Sequence, residues 1–94
     1  MRLSKHAKKR MKQRCGLHGK SAVRIGERVF ESGLRREDTK GRLAKWLDLI
    51  GKYNQGKLLI VHGEKCYIFS SDNVLITLLN IPPELTKDMK KMVK

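Results

Sequence analysis

The sequence predicts an α+β fold, in which N-terminal helices pack on one face of a small three-stranded antiparallel β-meander and a short C-terminal helix or tail follows. Up to residue 54, apolar residues recur at intervals of three and four, which is typical of amphipathic helices. From residue 57 onward, short segments rich in branched and aromatic residues alternate with turn residues, which is typical of strands. With 94 residues, 39% of them hydrophobic, the chain is expected to form a single domain over 1–94. Its expected parts are helical (1–54), β-meander (57–81) and a basic C-terminal helix or tail (83–94).

Three helices are expected in the first part. The first covers residues 4–15, where Ser4 can cap its start and an apolar stripe has four-residue spacing. The second begins near Ser21 and ends at Gly33. The third follows a cap at Asp38 or Thr39 and has the i, i+3, i+4, i+7 pattern of a half-buried helix. The apolar positions of the first and third helices are Leu3, Ala7, Met11 and Cys15, and Leu43, Trp46, Leu47 and Ile50.

Three strands are expected in the second part, at "KLLIVHG", "KCYIFSS" and "NVLITLLNI". Gly63–Glu64 and Ser71–Asn73 separate them and are typical of tight hairpins. The third segment is the most apolar, so it is expected to be the central or most buried strand. Pro82 and Pro83 then end the sheet, ahead of the basic segment "ELTKDMKKMVK".

The charge of the chain is strongly positive and unevenly distributed. The formal net charge is +13 and the pI is about 10.2. Residues 1–28 contain ten lysines and arginines against Glu27 alone, which gives this segment a charge of +9. Neutralisation of phosphates supplies most of the non-specific affinity of proteins for nucleic acid, so a nucleic-acid partner is expected. The alternative is a basic surface that serves solubility alone.

The same sequence argues against several other classes. It lacks the apolar region of a signal peptide and any apolar run of the ~20 residues that a membrane span requires. Its two cysteines, Cys15 and Cys66, lie far apart, which is typical of a reducing compartment. A cytoplasmic protein with no membrane partner and no cofactor is therefore expected. Cys15, His18, His62 and Cys66 are zinc-ligand types, but their spacing is weak and no metal site is expected.

One stripe of the first helix combines His6 with Arg10 and Arg14, at four-residue intervals. Nearby cations favour the neutral form of a histidine, which is the form that a general base needs. Arginines at this spacing could hold a phosphate group. The alternative is that His6 is a boundary residue and the arginines are ordinary surface groups.

Two residues of the expected strands are further candidates. Thr77 is the only polar residue between Val74 and Leu79, and it becomes interesting if its hydroxyl shares a site with His6. Tyr67 and Phe69 lie on the same face of their strand, with Cys66 and Ile68 on the other face, and exposed aromatics on a sheet could stack on bases. Both have a plainer explanation, because a buried threonine commonly bonds to backbone and an aromatic face commonly belongs to the core.

At its two ends the chain resembles a family of small bacterial and prophage proteins. The residues concerned are the helix "LSKHAKKRMKQR", of the form H-A-x-x-R-M-x-x-R, and the later "KCYIFSSDNVLITLLNIP", of the form Y-I-F…L-I-T. That family is similar to the RelE-like and colicin-type ribonuclease toxins. The resemblance implies metal-independent RNA cleavage, with His6, Arg10, Arg14 and Thr77 as catalytic residues. Tyr67 would then be a neighbour that stacks on a base or handles a proton.

The charge predicts a small basic nucleic-acid-binding protein, and the resemblance implies a phage or mobile-element protein with RNA preferred to DNA and RNA cleavage as a candidate activity. The alternative is a non-catalytic regulator or inhibitor that binds nucleic acid or a host protein complex. A protein partner and either a monomer or a homodimer remain open. The expected nucleic-acid contacts are Lys5, Lys8, Lys9, Lys12, Lys20, Arg24 and Tyr67.

Overall fold

The structure, a computed structural model, describes the backbone of residues 1–92 and the side chains of residues 1–90. It is an α+β fold with four α-helices and a five-stranded mixed sheet. The elements, in chain order, are β1 (Arg2–Leu3), α1 (Lys5–Cys15), α2 (Lys20–Ser32), β2 (Leu34–Arg35), α3 (Gly41–Lys52), β3 (Leu58–His62), β4 (Lys65–Phe69), β5 (Val74–Asn80) and α4 (Pro83–Met92).

The three expected strands are present as the antiparallel neighbours β3, β4 and β5. The expectation of only three strands is wrong, because the order across the sheet is β1-β5-β4-β3-β2. The two additional strands have two residues each, which is too short for an alternating pattern to show in the sequence. The sheet is mixed because β1 lies parallel to β5, with Arg2 opposite Val74.

The helices lie on both faces of the sheet, not on one face as expected. The buried cluster on one face joins α1 and α2 to β3, β4 and β5 through residues such as Met11, Val29 and Tyr67. The cluster on the other face joins α3 and α4 to the sheet. Its buried members are Leu34, Leu43, Leu47, Val61, Cys66, Ile81, Leu85 and Met89. A sheet covered on both faces needs apolar residues on both sides of its strands, and β4 has them.

The central strand is therefore β4 and not β5, which was expected to be the most buried. Four of the five β4 residues, Cys66 to Phe69, are buried, while only Leu75 and Leu78 are buried among the seven residues of β5. Tyr67 and Phe69 face α1 and α2, and Cys66 faces α3 and α4, so the predicted alternation along this strand is confirmed.

The last segment forms a helix over Pro83–Met92, and residues 93–94 of the predicted helix or tail lie outside the described residues. Among the described residues, no helix has the length and apolar character that crossing a membrane requires.

Candidate functional site

A groove of about 900 Å³ is lined mainly by residues of α1, of α2 and of the connection between them. We call it the α1–α2 groove. Its volume falls within the range typical of ligand-binding clefts. The residues that line it are Leu3, Lys8, Lys9, Lys12, His18, Gly19, Lys20, Ala22, Val23 and Arg24.

The short connection between the two helices sets the shape of the groove. Gly16 ends α1 in the left-handed conformation, with φ of 65°, and its N–H donates to the carbonyl groups of Lys12 and Met11. Left-handed backbone favours glycine, because other residues place a Cβ close to the preceding backbone. Gly19 also has a positive φ, of 60°, immediately before α2. The chain therefore reverses within residues 16–19, and His18 is left exposed at one end of the groove.

The groove has an apolar floor and a cationic rim. We define the floor as Leu3, Ala22 and Val23, and the rim as Lys8, Lys9, Lys12, Lys20 and Arg24. Among the described residues that line the groove, none is an aspartate or glutamate. The ion pairs present in the described part of the chain, Arg36–Asp48, Arg42–Asp88 and Lys90–Glu64, all involve other residues. None of the five rim side chains takes part in one of these ion pairs, although Arg24 also lines a neighbouring pocket that contains Glu27 and Glu31.

The start of α2 adds to this positive character. Gly19 supplies no side-chain cap for the first N–H groups of α2, and the first turn contains no acidic residue. The positive end of the helix dipole therefore has no negative side chain of its own to balance it.

Five of the seven residues predicted to contact nucleic acid are the rim of the groove. Lys5 is exposed on α1 but does not line the groove. Tyr67 is only 4% exposed and belongs to the core beneath α1 and α2, so neither face of its ring is accessible to a base. Burial, aided by the neighbouring thiol of Cys15, raises the pKa of Tyr67 to about 12. Its role in the structure is therefore packing.

His18 and the apolar residues Leu3, Ala22 and Val23 line the groove although the sequence does not predict them as nucleic-acid contacts. The sequence marks His18 only as a residue of zinc-ligand type, two residues from the glycine that ends α1. The available signal was its position between Gly16 and Gly19, because a histidine in a tight connection between two basic helices must lie near both of them.

The stripe of His6, Arg10 and Arg14 lies on a different flank of α1. At about 100° per residue, His6 is about 160° around the helix from Lys8, and none of the three residues lines the groove. His6 is exposed, while Arg10 and Arg14 are half-buried. Nε of Arg10 donates a hydrogen bond of 3.3 Å to Nε2 of His6. This contact brings two of the predicted catalytic residues together, outside the groove.

Thr77 lies on the sheet face opposite α1. It pairs with Ile68, which alternates with Tyr67 along β4 and so faces α3 and α4. A β-bulge near Ile68 and Phe69 places Leu75, rather than Ile76, opposite Phe69, and shifts the alternation of β5 by one residue. As a result, Leu75 and Leu78 both contact the α1 side, and Thr77 points away from it. The structure does not bring the side chains of Thr77 and His6 onto one face.

A different cavity, of about 580 Å³, lies where α2 meets β2 and the β3–β4 turn. It is lined by Glu31, Arg35, Asp38 and His62 among others, so charges of both signs are present. A polyanion would meet carboxylates there. The α1–α2 groove therefore remains the better candidate for a polyanion.

Potential metal ligands do not cluster in the described part of the chain, where no group of three or more His, Cys, Asp or Glu residues could hold an ion. Cys15 packs against the α1–α2 side of the core, whereas Cys66 faces α3 and α4. Burial raises the pKa of the Cys66 thiol to about 12, which keeps it protonated and makes it a poor ligand.

The chain was compared with protein-family models, with curated proteins and with solved structures, and no match was found in any of the three comparisons.

Proposed function

We propose that this protein is a small basic RNA-binding protein of a phage or mobile element that acts in the cytoplasm, and that its RNA interface is the α1–α2 groove. One observation carries the proposal. The five basic side chains of the rim come from two helices and line one concave surface, with no carboxylate among the described lining residues.

The physical basis is the release of counterions from the nucleic acid. Each lysine or arginine that neutralises a phosphate releases condensed cations, and the affinity then falls steeply as salt increases. Five cations around one groove act on the same stretch of phosphate backbone, whereas cations dispersed over a globule do not. The +9 charge of residues 1–28 adds long-range attraction and speeds association.

The test compares the RNA affinity of wild type with that of the double variant Lys8→Ala/Lys12→Ala. Fluorescence anisotropy measures both affinities at several salt concentrations. We expect the affinity to fall by roughly tenfold or more and the salt slope to become shallower by about 1–2 units, since two phosphate contacts are lost. The matched control is Lys45→Ala/Lys52→Ala, which removes the same charge from exposed positions of α3 on the other side of the sheet. Equal losses in the two variants would mean that net charge alone, and not the groove, determines binding.

A second candidate function, metal-independent RNA cleavage, is supported by the contact between Arg10 and His6. A histidine that accepts a hydrogen bond at Nε2 is neutral, and its lone pair becomes free to take a proton once Arg10 turns from Nε2 to a phosphate. In this proposal His6 removes the proton from a 2′-hydroxyl group, and the 2′-oxygen attacks the adjacent phosphorus while Arg10 and Arg14 stabilise the charge that develops on the phosphate. The bond from phosphorus to the 5′-oxygen then breaks, which leaves a 2′,3′-cyclic phosphate, and the protonated His6 or water returns a proton to the 5′-oxygen. Thr77, on the opposite face of the sheet, is not needed for this step.

Cleavage is tested with structured and unstructured RNA in the presence of a chelator. The His6→Ala variant should lose cleavage by about a hundredfold or more while retaining RNA affinity, since His6 does not line the groove. His62→Ala, which changes a histidine of β3 outside the groove, is the matched control and should retain cleavage. If the wild-type protein binds RNA but leaves it intact, the result supports the alternative of a non-catalytic regulator or inhibitor.

A further inference from the structure

We propose that the α1–α2 groove selects single-stranded RNA over duplex RNA, by placing an unstacked base on its apolar floor while the phosphates lie on its cationic rim. This inference rests on the proposed RNA-binding function and adds the strand state of the RNA. It is carried by the combination of floor and rim in one groove, since a surface that serves phosphates alone needs no apolar floor.

The floor argues for an exposed base. In a duplex the bases are stacked and paired inside the helix, and the protein meets mainly phosphates, 2′-hydroxyls and a shallow minor groove. A duplex could reach the rim but would leave Leu3 and Val23, both half-buried, without an apolar partner. The bases of a single strand can turn outward and bury one apolar face against such residues.

The rim argues for a strand that runs along the groove. Lys8, Lys9 and Lys12 lie on the α1 side, and Lys20 and Arg24 lie on the α2 side. Lys8 and Lys12, like Lys20 and Arg24, are one helical turn apart and therefore neighbours on their helix. A single phosphate backbone between the two helices is thus close to positive charge on both sides, which is the arrangement of grooves that follow single strands.

Another ligand chemistry shares some of these features. An anionic lipid would also present an apolar part to the floor and a phosphate to the rim. The small size of the floor favours RNA, because a helix that lies in a membrane surface needs a large apolar face, whereas Leu3 and Val23 are two half-buried side chains. Anionic vesicles are therefore included in the test as the competing outcome.

The experiment compares the full chain on a short single-stranded RNA, on the duplex formed by that RNA with its complement, and on vesicles containing an anionic phospholipid. Binding is measured by anisotropy for RNA and by co-sedimentation for vesicles. We expect the single strand to bind about three- to tenfold tighter than the duplex, in line with the burial of one base against aliphatic side chains. Both RNA affinities should fall with salt.

Variants of the floor separate the base contact from the phosphate contacts. Val23→Ser should lower the single-strand affinity about three- to tenfold, with no change in the salt slope or in duplex affinity. Val23→Tyr should raise the single-strand affinity, because an aromatic ring gives the base a surface to stack on. The matched control is Leu49→Ser on α3, which removes a 51% exposed apolar side chain on the other side of the sheet. Circular dichroism of each variant checks that the fold is retained.

The outcomes distinguish this inference from the function on which it rests. Equal affinity for single strand and duplex, together with no effect of either Val23 variant, would overturn the inference and leave RNA binding intact. Absence of salt-dependent binding to any RNA would overturn the proposed function itself. Binding to vesicles but not to RNA would overturn both.

Discussion

Arg10 donates a hydrogen bond from Nε to Nε2 of His6, one turn earlier on α1, over a distance of 3.3 Å. Since Nε2 accepts, the proton of the neutral ring is on Nδ1. A basic neighbour thus selects one tautomer of an exposed histidine. The nitrogen that would act as a base is the one directed at the arginine, so a phosphate held by Arg10 would lie next to it.

The tautomer of His6 is the first prediction. Nitrogen NMR of the imidazole ring, at a pH where the ring is neutral, should show Nε2 as the unprotonated nitrogen. Arg10→Ala should shift the population toward the tautomer protonated on Nε2, because the donor is lost. Lys9→Ala, which removes a neighbouring charge without removing this hydrogen bond, is the control. An identical tautomer ratio in wild type and Arg10→Ala would show that the hydrogen bond from Arg10 does not affect the tautomer of His6 in solution.

Ser4 is expected to connect α1 to the sheet. Its Oγ accepts a hydrogen bond from the N–H of Ala7 at 3.0 Å and donates one to the carbonyl of Ile76 at 2.7 Å. Ser4→Ala should lower the free energy of unfolding by about 1–2 kcal/mol, since a helix cap and a hydrogen bond to β5 are both lost. Ser4→Thr should retain most of the stability. Ser21→Ala, at an exposed position of α2, is the control in urea denaturation and should be close to neutral.

Gly33 is expected to be intolerant of any side chain. A Cβ at this position would clash with Ile60 and would lie 2.7 Å from the carbonyl oxygen of Val29. Gly33→Ala should therefore lower the free energy of unfolding by about 2–3 kcal/mol, because backbone at the end of α2 has to move. The control is Gly51→Ala in α3, where the new Cβ would make an ordinary contact of 3.6 Å with Leu59. That variant should be as stable as wild type or slightly more stable, and a loss at Gly51 equal to that at Gly33 would contradict the close packing of α2 on β3.

Alkaline pH should destabilise the fold through the buried phenol of Tyr67, in addition to the buried thiol of Cys66, whose pKa is also raised by burial. Burial raises the pKa of Tyr67 from 10.0 to about 12, with a further contribution from Cys15. Between these values the unfolded chain loses the phenolic proton while the folded chain keeps it, so the free energy of unfolding falls as pH rises. The loss should be about 1–3 kcal/mol.

Thermal unfolding of two variants at pH values across this range isolates the contribution of Tyr67. Tyr67→Phe should unfold with a weaker dependence on pH than wild type, even though its stability at neutral pH changes as well. Tyr53→Phe, which alters an 82% exposed side chain, should follow the wild-type curve. An unchanged pH dependence in Tyr67→Phe would show that its phenol is solvated or that other groups dominate.

The sequence by itself determined the elements whose patterns are long enough to be read. The periodicity of "KGRLAKWLDLIGK" predicts α3, and the hairpin residues Gly63 and Glu64 predict the turn between β3 and β4. The excess of charge in residues 1–28 likewise follows from composition. These features are local, so neighbouring residues in the chain contain all the information that they need.

The tertiary structure alone decided which residues share a site. Lys8 and Lys12 line the same groove as Lys20 and Arg24 because the chain reverses between Gly16 and Gly19. The helical pattern of a sequence does not specify the direction of such a turn. Thr77 faces away from α1 because one bulge in β5 shifts the alternation of the strand, and a bulge leaves no mark in an apolar run. The sequence also does not predict that α3 and α4 cover the second face of the sheet. The apolar stripe of a helix shows that one side of the helix is buried, but it does not show which face of the sheet that side packs against.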